Sequence, residues 1–207
     1  MKKLIFLILI SFAHGLHAQT YKQMANKSEC IDKLKKQAAS TKTIQADFTE
    51  KKYSAMFKTP KTGTGKFYYK KENMIRWENL TPVSNIVLIK DKTMKVSENG
   101  KEIKQAGNNI AAKKIQEMMV QLMTFSFTDE KDFSIKYFES ESNYKIELTP
   151  KNKRMSKYIS VIELIFDKTS VNLNQLTLGE SDTEKMVYNF SGHKFNQEIA
   201  DSKFTKF

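Results

Sequence analysis

The sequence predicts a mainly β chain with some α, an α+β fold built on one antiparallel sheet. Three observations point there. From Thr43 onward, most of the chain carries a two-residue apolar period, which turns one side of each run toward a core and the other toward water. Only two segments carry the 3.6-residue period of an amphipathic helix. The strand-like runs also follow one another directly, which favours antiparallel connections over the crossovers of a parallel sheet.

The elements follow in order. Residues 27–40 read as a helix: Asn26 is placed to cap it, Glu29 lies three residues on, and Ile31, Leu34 and Ala38 form one stripe. Ile44, Ala46 and Phe48 then alternate with Gln45, Asp47 and Thr49 in a half-buried strand. Further strands are expected at 65–70, 74–78, 85–90 and 93–98. Asn99-Gly100 is a strong hairpin signal leading into 102–105.

A second helix is expected at 109–124, where Ile110, Lys114, Glu117 and Gln121 mark its turns. Ile115, Met118, Met119, Leu122 and Met123 make its broad apolar face. Strands resume at 133–139, 144–149, 158–167, 172–178 and 185–191, and Phe204 to Phe207 reads as a last short strand. About ten strands of this kind suit a closed barrel, a sandwich or one strongly bent sheet, and alternation does not separate the three. If the register holds, Phe48, Phe67, Tyr69 and Trp77 share one sheet face, either as packed core or as the wall of a ligand cavity.

The N-terminus has the parts of a secretory signal: Met1-Lys2-Lys3, an apolar run from Leu4 to Phe12, and a cleavage region at Gly15-Leu16-His17-Ala18. That run is shorter than the roughly 20 apolar residues that span a bilayer. Cleavage is expected after Ala18, with Ser11 and Ala13 offering a second site, which leaves residues 19–207 as a single domain. Cys30 does not follow a lipoprotein-type cleavage sequence. As the only cysteine it cannot form an internal disulfide, so the fold must rest on its core.

The chain is basic, with 35 Lys and Arg against 23 Asp and Glu, and the formal charge of +12 falls to +10 once Lys2 and Lys3 are removed. Export argues against a nucleic-acid partner and leaves anionic headgroups, an acidic protein or solubility. His14 and His17 lie in the signal, and His193 is expected at the surface or in a turn. One histidine and one cysteine do not make a usual metal site or a nucleophilic triad, and no phosphate loop or dinucleotide fingerprint is present. Two carboxylates suffice for glycoside hydrolysis, so that chemistry stays open as a minor alternative. The run Lys151 to Lys157 reads as a basic hairpin tip or a contact for anionic groups.

The segment 65–77, GKFYYKKENMIRW, resembles that of the LolA-type outer-membrane lipoprotein carriers: a glycine, alternating apolar residues, a basic pair and a hairpin return ending in tryptophan. Ala46 to Glu50 (ADFTE), Thr81-Pro82, Ile89 to Met94 (IKDKTM) and Phe204 to Phe207 (FTKF) resemble other family segments in the same order. The resemblance implies an incomplete barrel, a strongly curved antiparallel sheet with helices capping its concave face. It implies a monomeric periplasmic carrier without catalysis, cofactor or metal. Such a carrier takes acylated lipoproteins from an inner-membrane exporter and passes them to an outer-membrane acceptor.

On that reading Phe48, Phe67, Tyr69, Ile75 and Trp77 would bind lipid from the sheet, and Met118, Met119, Leu122 and Met123 from a lid helix. Lys71 would be the closing and transfer latch. Lys71 stands where the family usually has arginine and lacks the planar fork of a guanidinium, and Glu72 stands where proline is usual. A lipid- or lipoprotein-sensing accessory protein on the same fold is the alternative.

Overall fold

A computed structural model describes residues 20–91, 93–104, 118–122, 124–129, 132–153, 155–181 and 183–207. Its strands are β1 (Lys22–Gln23), β2 (Thr43–Tyr53), β3 (Lys61–Lys70), β4 (Met74–Thr81), β5 (Asn85–Lys90) and β6 (Thr93–Glu98). They continue with β7 (Lys101–Glu102), β8 (Phe133–Glu139), β9 (Asn143–Pro150), β10 (Val161–Asp167), β11 (Leu173–Gly179) and β12 (Lys185–Phe195). All join one antiparallel sheet in the order β1-β8-β9-β10-β11-β12-β2-β3-β4-β5-β6-β7. The first and last strands do not pair with each other, so the curved sheet is an incomplete barrel, as the family resemblance implies.

Most neighbours are hairpins read directly from the chain. Asn99 and Gly100 both take positive φ, 49° and 77°, at the β6–β7 turn. The exceptions are β1, which pairs with β8, and the seam where β12 returns to β2, pairing Tyr188 with Glu50 and Phe190 with Phe48. The seam joins the two halves of the sheet into one surface.

Helix α1 (Ser28–Ser40) lies against the concave face through Cys30 and Leu34, both buried. Asn26 does accept from the helix start, through the Ser28 N–H at 2.9 Å, but from one position before the cap. Glu29 does not close a capping box; it pairs with Lys33 at 2.8 Å. Burial pushes the Cys30 thiol up to about 12 and keeps it protonated, an apolar core side chain rather than a nucleophile. Of the expected second helix, 118–122 and 124 are helical, while 109–117 and Met123 lie outside the described residues.

The C-terminal segment departs from the sequence reading. Asp201–Phe204 is a 3-10 helix and not a strand. Phe204 is buried on the convex face with Met74, Ile199 and Tyr68, forming a small second core. A strand there would expose the tail carbonyls, whereas the 3-10 turn presents two of them to Arg76. This guanidinium, 5% exposed, donates to Lys203 O (3.2 Å), Lys206 O (2.7 Å) and Glu78 Oε2 (2.8 Å). Burial pushes the Glu78 carboxyl up, but the Arg76 hydrogen bond and charge outweigh it and hold the group below its usual range.

Candidate functional site

The concave face encloses an apolar cavity of about 70 Å³. The alternation of β2 brings Ile44 and Ala46 to it; Phe67 comes from β3, Trp77 from β4, and Leu164 and Phe166 from β10. Helix α1 closes it with Gln37, Ala38 and Thr41, and Leu122 and Phe125 reach it from the second helical segment. Ligand pockets usually offer about 300–1,000 Å³. A chain-like ligand therefore enters only if the walls part.

One wall is aromatic. Trp77 packs 4.9 Å from Phe48, 4.9 Å edge-on from Tyr188, 5.7 Å from Phe67 and 5.9 Å from Phe190. Gly65 makes this cluster possible, because a Cβ there would overlap the Phe48 ring at Cζ and the Glu78 carbonyl. A second group, Phe125, Phe127 and Phe166, packs at 5.5–5.6 Å under the helical side.

The polar atoms near the cavity are bonded locally. Trp77 Nε1 donates to Asn79 Oδ1 at 3.2 Å, and Thr41 Oγ1 to the Gln37 carbonyl at 2.7 Å. Such a wall offers contact area without directed bonds. The departures from apolarity are at the far end of the face, where burial raises the Glu50 carboxyl pKa against the opposing charge of Lys52. Tyr188 beside it is raised by burial and then by Glu50.

The residues singled out from the sequence fall into four groups. Phe67, Trp77 and Leu122 line the cavity. Phe48, Tyr69, Ile75, Met118 and Met119 belong to the same concave core without bordering the cavity itself. Met123 lies outside the described residues. Lys71 is exposed at a groove of about 620 Å³ bordered also by Lys35, Tyr69 and Thr124. Ala38 and Phe125 border both groove and cavity, so this groove is the mouth nearest the apolar interior.

At the β3–β4 turn Glu72 has φ 76° and Asn73 φ 64°. Proline, fixed near −65°, cannot follow that path, so the turn has its own geometry here.

Sequence reading missed Phe190, Phe195 and His193. Their exposure to the cavity depends on the register of β12 against β2, which shifts between Ser191 and Lys194. His193 is not a surface or turn residue. It is half-buried in β12, its Nε2 donates to Leu173 O at 3.0 Å, and its ring stacks on Phe195 at 6.1 Å. The alternation of Leu164 and Phe166 was a visible signal for β10, but its facing partner was not.

An open, curved antiparallel barrel with an apolar interior is the structural class defined here. The chain belongs to the family of the outer membrane lipoprotein carrier protein LolA, whose model matches residues 39–206. No curated protein sequence matches the chain. Among solved structures it is similar to a LolA superfamily protein from Nitrosomonas europaea, with 11% identity, 85% of this chain and 97% of that chain covered, and a TM-score of 0.43. It is also similar to a conserved protein from Thermus thermophilus, with 8% identity, 88% and 94% covered, and a TM-score of 0.49. A chain of the MucA/MucB complex of Pseudomonas aeruginosa shares 11% identity at a TM-score of 0.49; the match covers 86% of this chain and 60% of that one.

Proposed function

We propose that the protein binds the acyl chains of lipoproteins in this cavity and carries them, as a monomer, from an inner-membrane exporter to an outer-membrane acceptor. Residues 1–18 are then a signal peptide, and residues 19–207 work in the periplasm. The observation that carries the reading is an apolar cavity beneath an incomplete barrel in a chain of the LolA family.

The physics suits that role. A long acyl chain gains on the order of 10 kcal/mol from leaving water, at about 0.8 kcal/mol per methylene. Part of that gain offsets the parting of α1 and the 118–125 segment from the sheet. Dispersion and water exclusion do not require one ligand pose, so varied cargo is held and released. Phe67, Trp77 and Leu122 make the first contacts in this reading. Phe48, Tyr69, Ile75, Met118, Met119 and Met123 join the binding surface as it widens, the methionines adapting through their unbranched side chains. Lys71 at the mouth is the latch, a point charge able to meet an ester or amide carbonyl but not to grip several at once.

Native mass spectrometry with a diacylated or triacylated lipopeptide tests the proposal. A one-to-one complex is expected, with a shift in Trp77 emission. Ala38→Trp, which plugs the border between mouth and cavity from a half-buried helix position, should abolish it. If the folded protein captures no lipopeptide, or the plug makes no difference, the cavity is not the binding site.

A further inference from the structure

A second surface lies at the opposite end of the strands. From Lys51 to Lys71 the chain has seven lysines and no acid. Lys66 turns to Asp47 at 2.9 Å and Lys70 to Asp201 at 2.5 Å, while Lys71 sits at the mouth. Lys51, Lys52, Lys58 and Lys61 remain, all exposed around the β2–β3 connection, and none has a carboxylate in ion-pair range among the described residues.

The same end exposes apolar side chains. Met56, at the tip of that connection, is 82% exposed. Phe57 beside it sits under the Lys61 ammonium, 4.3 Å from the ring centre. The β4–β5 turn adjoins: Gly63 at the start of β3 packs so closely on it that a Cβ would lie 2.6 Å from Thr81 O and 3.5 Å from Pro82. Leu80 at the end of β4 is 43% exposed and Val83 in the turn 46%. The antiparallel course of β2, β3, β4 and β5 puts these residues at one end and the Lys71 turn at the other.

We infer that this hairpin end docks on an anionic bilayer surface. Met56, Leu80 and Val83 are separate exposed apolar side chains set among exposed lysines, a combination that suits a deformable anionic lipid interface better than a preformed protein pocket. Lysine stems can lie along the interface while their ammonium groups meet phosphates, with Met56 dipping below them. The carboxylates at this end lie on neighbouring turns, Glu180 and Glu184 between β11 and β12 and Glu98 and Glu102 beside the β6–β7 turn. Among the described residues none is within ion-pair range of these four lysines. Glu184 of the β11–β12 turn accepts from Ser54 Oγ at 3.2 Å, and Glu50 lies on the concave face. Docking this end leaves the mouth beside Lys71 pointing away from the membrane and free. The inference stands on exposed residues and does not depend on what the cavity holds.

Cosedimentation of the protein, purified from the envelope, with vesicles tests it. Vesicles of one-third phosphatidylglycerol in phosphatidylcholine should bind, those of phosphatidylcholine alone should not, and binding should weaken with salt. At roughly five-fold per lysine near an anionic surface, Lys58→Gln with Lys61→Gln should weaken partitioning about 25-fold. Met56→Ser should weaken it by roughly ten-fold through lost apolar contact. All these positions are exposed, so circular dichroism should be unchanged. No binding to anionic vesicles, or equal binding to neutral ones, overturns the inference. So does binding that these substitutions leave intact, or binding to polyglutamate as tight as to vesicles and insensitive to Met56→Ser, which would mark the end as a protein-binding surface.

Discussion

Gly65→Ala should be among the most damaging single-methyl changes in the chain. The added Cβ would overlap Phe48 Cζ and the Glu78 carbonyl oxygen, with Phe48 Cε2 at 2.6 Å. Carbon atoms settle at about 3.5–4.0 Å, so something must move by more than about an ångström. Glu78 is held in β4 between Lys66 and Ile86, which leaves the Phe48 ring to yield. That ring lies 4.9 Å from Trp77, 5.6 Å from Tyr188 and 6.0 Å from Phe190, so the whole aromatic wall shifts with it. Overpacking costs about 1–3 kcal/mol, and disturbed aromatic pairs, each worth about 0.5–1.5 kcal/mol, put the expected loss near 3 kcal/mol. Gly100→Ala is the control: nothing lies within 4 Å of its Cβ, and only its φ of 77° is strained, at about 1 kcal/mol. Urea unfolding followed by Trp77, the only tryptophan, measures both, and the native emission of Gly65→Ala should itself shift. Phe48→Ala should cost less in the Gly65→Ala background than alone. A Gly65→Ala loss no larger than that of Gly100→Ala, with an unchanged native spectrum, would refute the tight wall.

Glu72→Gly should stabilise by about 1 kcal/mol by relieving a positive φ, whereas Glu72→Pro should destabilise by about 2 kcal/mol or more; thermal melts of both decide whether the turn follows this path. Arg76→Met should cost about 3 kcal/mol, because it leaves the buried side of the Glu78 carboxylate with only the longer Lys203 contact at 3.8 Å and releases the tail carbonyls, and it should make residues 201–207 open to carboxypeptidase. Since Glu78 is held below its unfolded pKa, its contribution is complete above about pH 4.5 and is lost as pH falls through the depressed folded value; that acid limb should flatten in Arg76→Met. Cys30 should resist iodoacetamide at pH 8 in the native protein and react in urea. Its raised pKa also means that stability falls as pH climbs from about 9 toward about 12, a loss that Cys30→Ala should remove.

Local pattern carried much of the architecture. The alternation of Ile44, Ala46 and Phe48 and the Asn99-Gly100 turn each depend on neighbours a few residues away, and both stand in the structure. The concave position of Phe67 and Trp77 also followed from period alone, because they are direct partners across one hairpin. Phe190 did not, since its place beside Phe48 is set by a pairing between distant strands, and a one-residue slip would turn it outward. His193 was misplaced for a related reason: the register shift after Ser191 re-aims a side chain that strict alternation would assign differently. The tail read as a strand because Phe204 and Phe207 suggest alternation, yet its conformation is decided by the Arg76 guanidinium, which no local pattern announces.

In a closed barrel, strand number and stagger together set the diameter, and widening it breaks backbone hydrogen bonds. Here the terminal strands β1 and β7 are two residues each and do not meet. The radius of this sheet is therefore set by side-chain packing across its hollow, not by a continuous ring of peptide bonds. Uncurling by a few degrees per strand would enlarge the interior while every ladder stayed intact. Capacity and secondary structure are thereby uncoupled, so the hollow can widen and narrow again without partial unfolding.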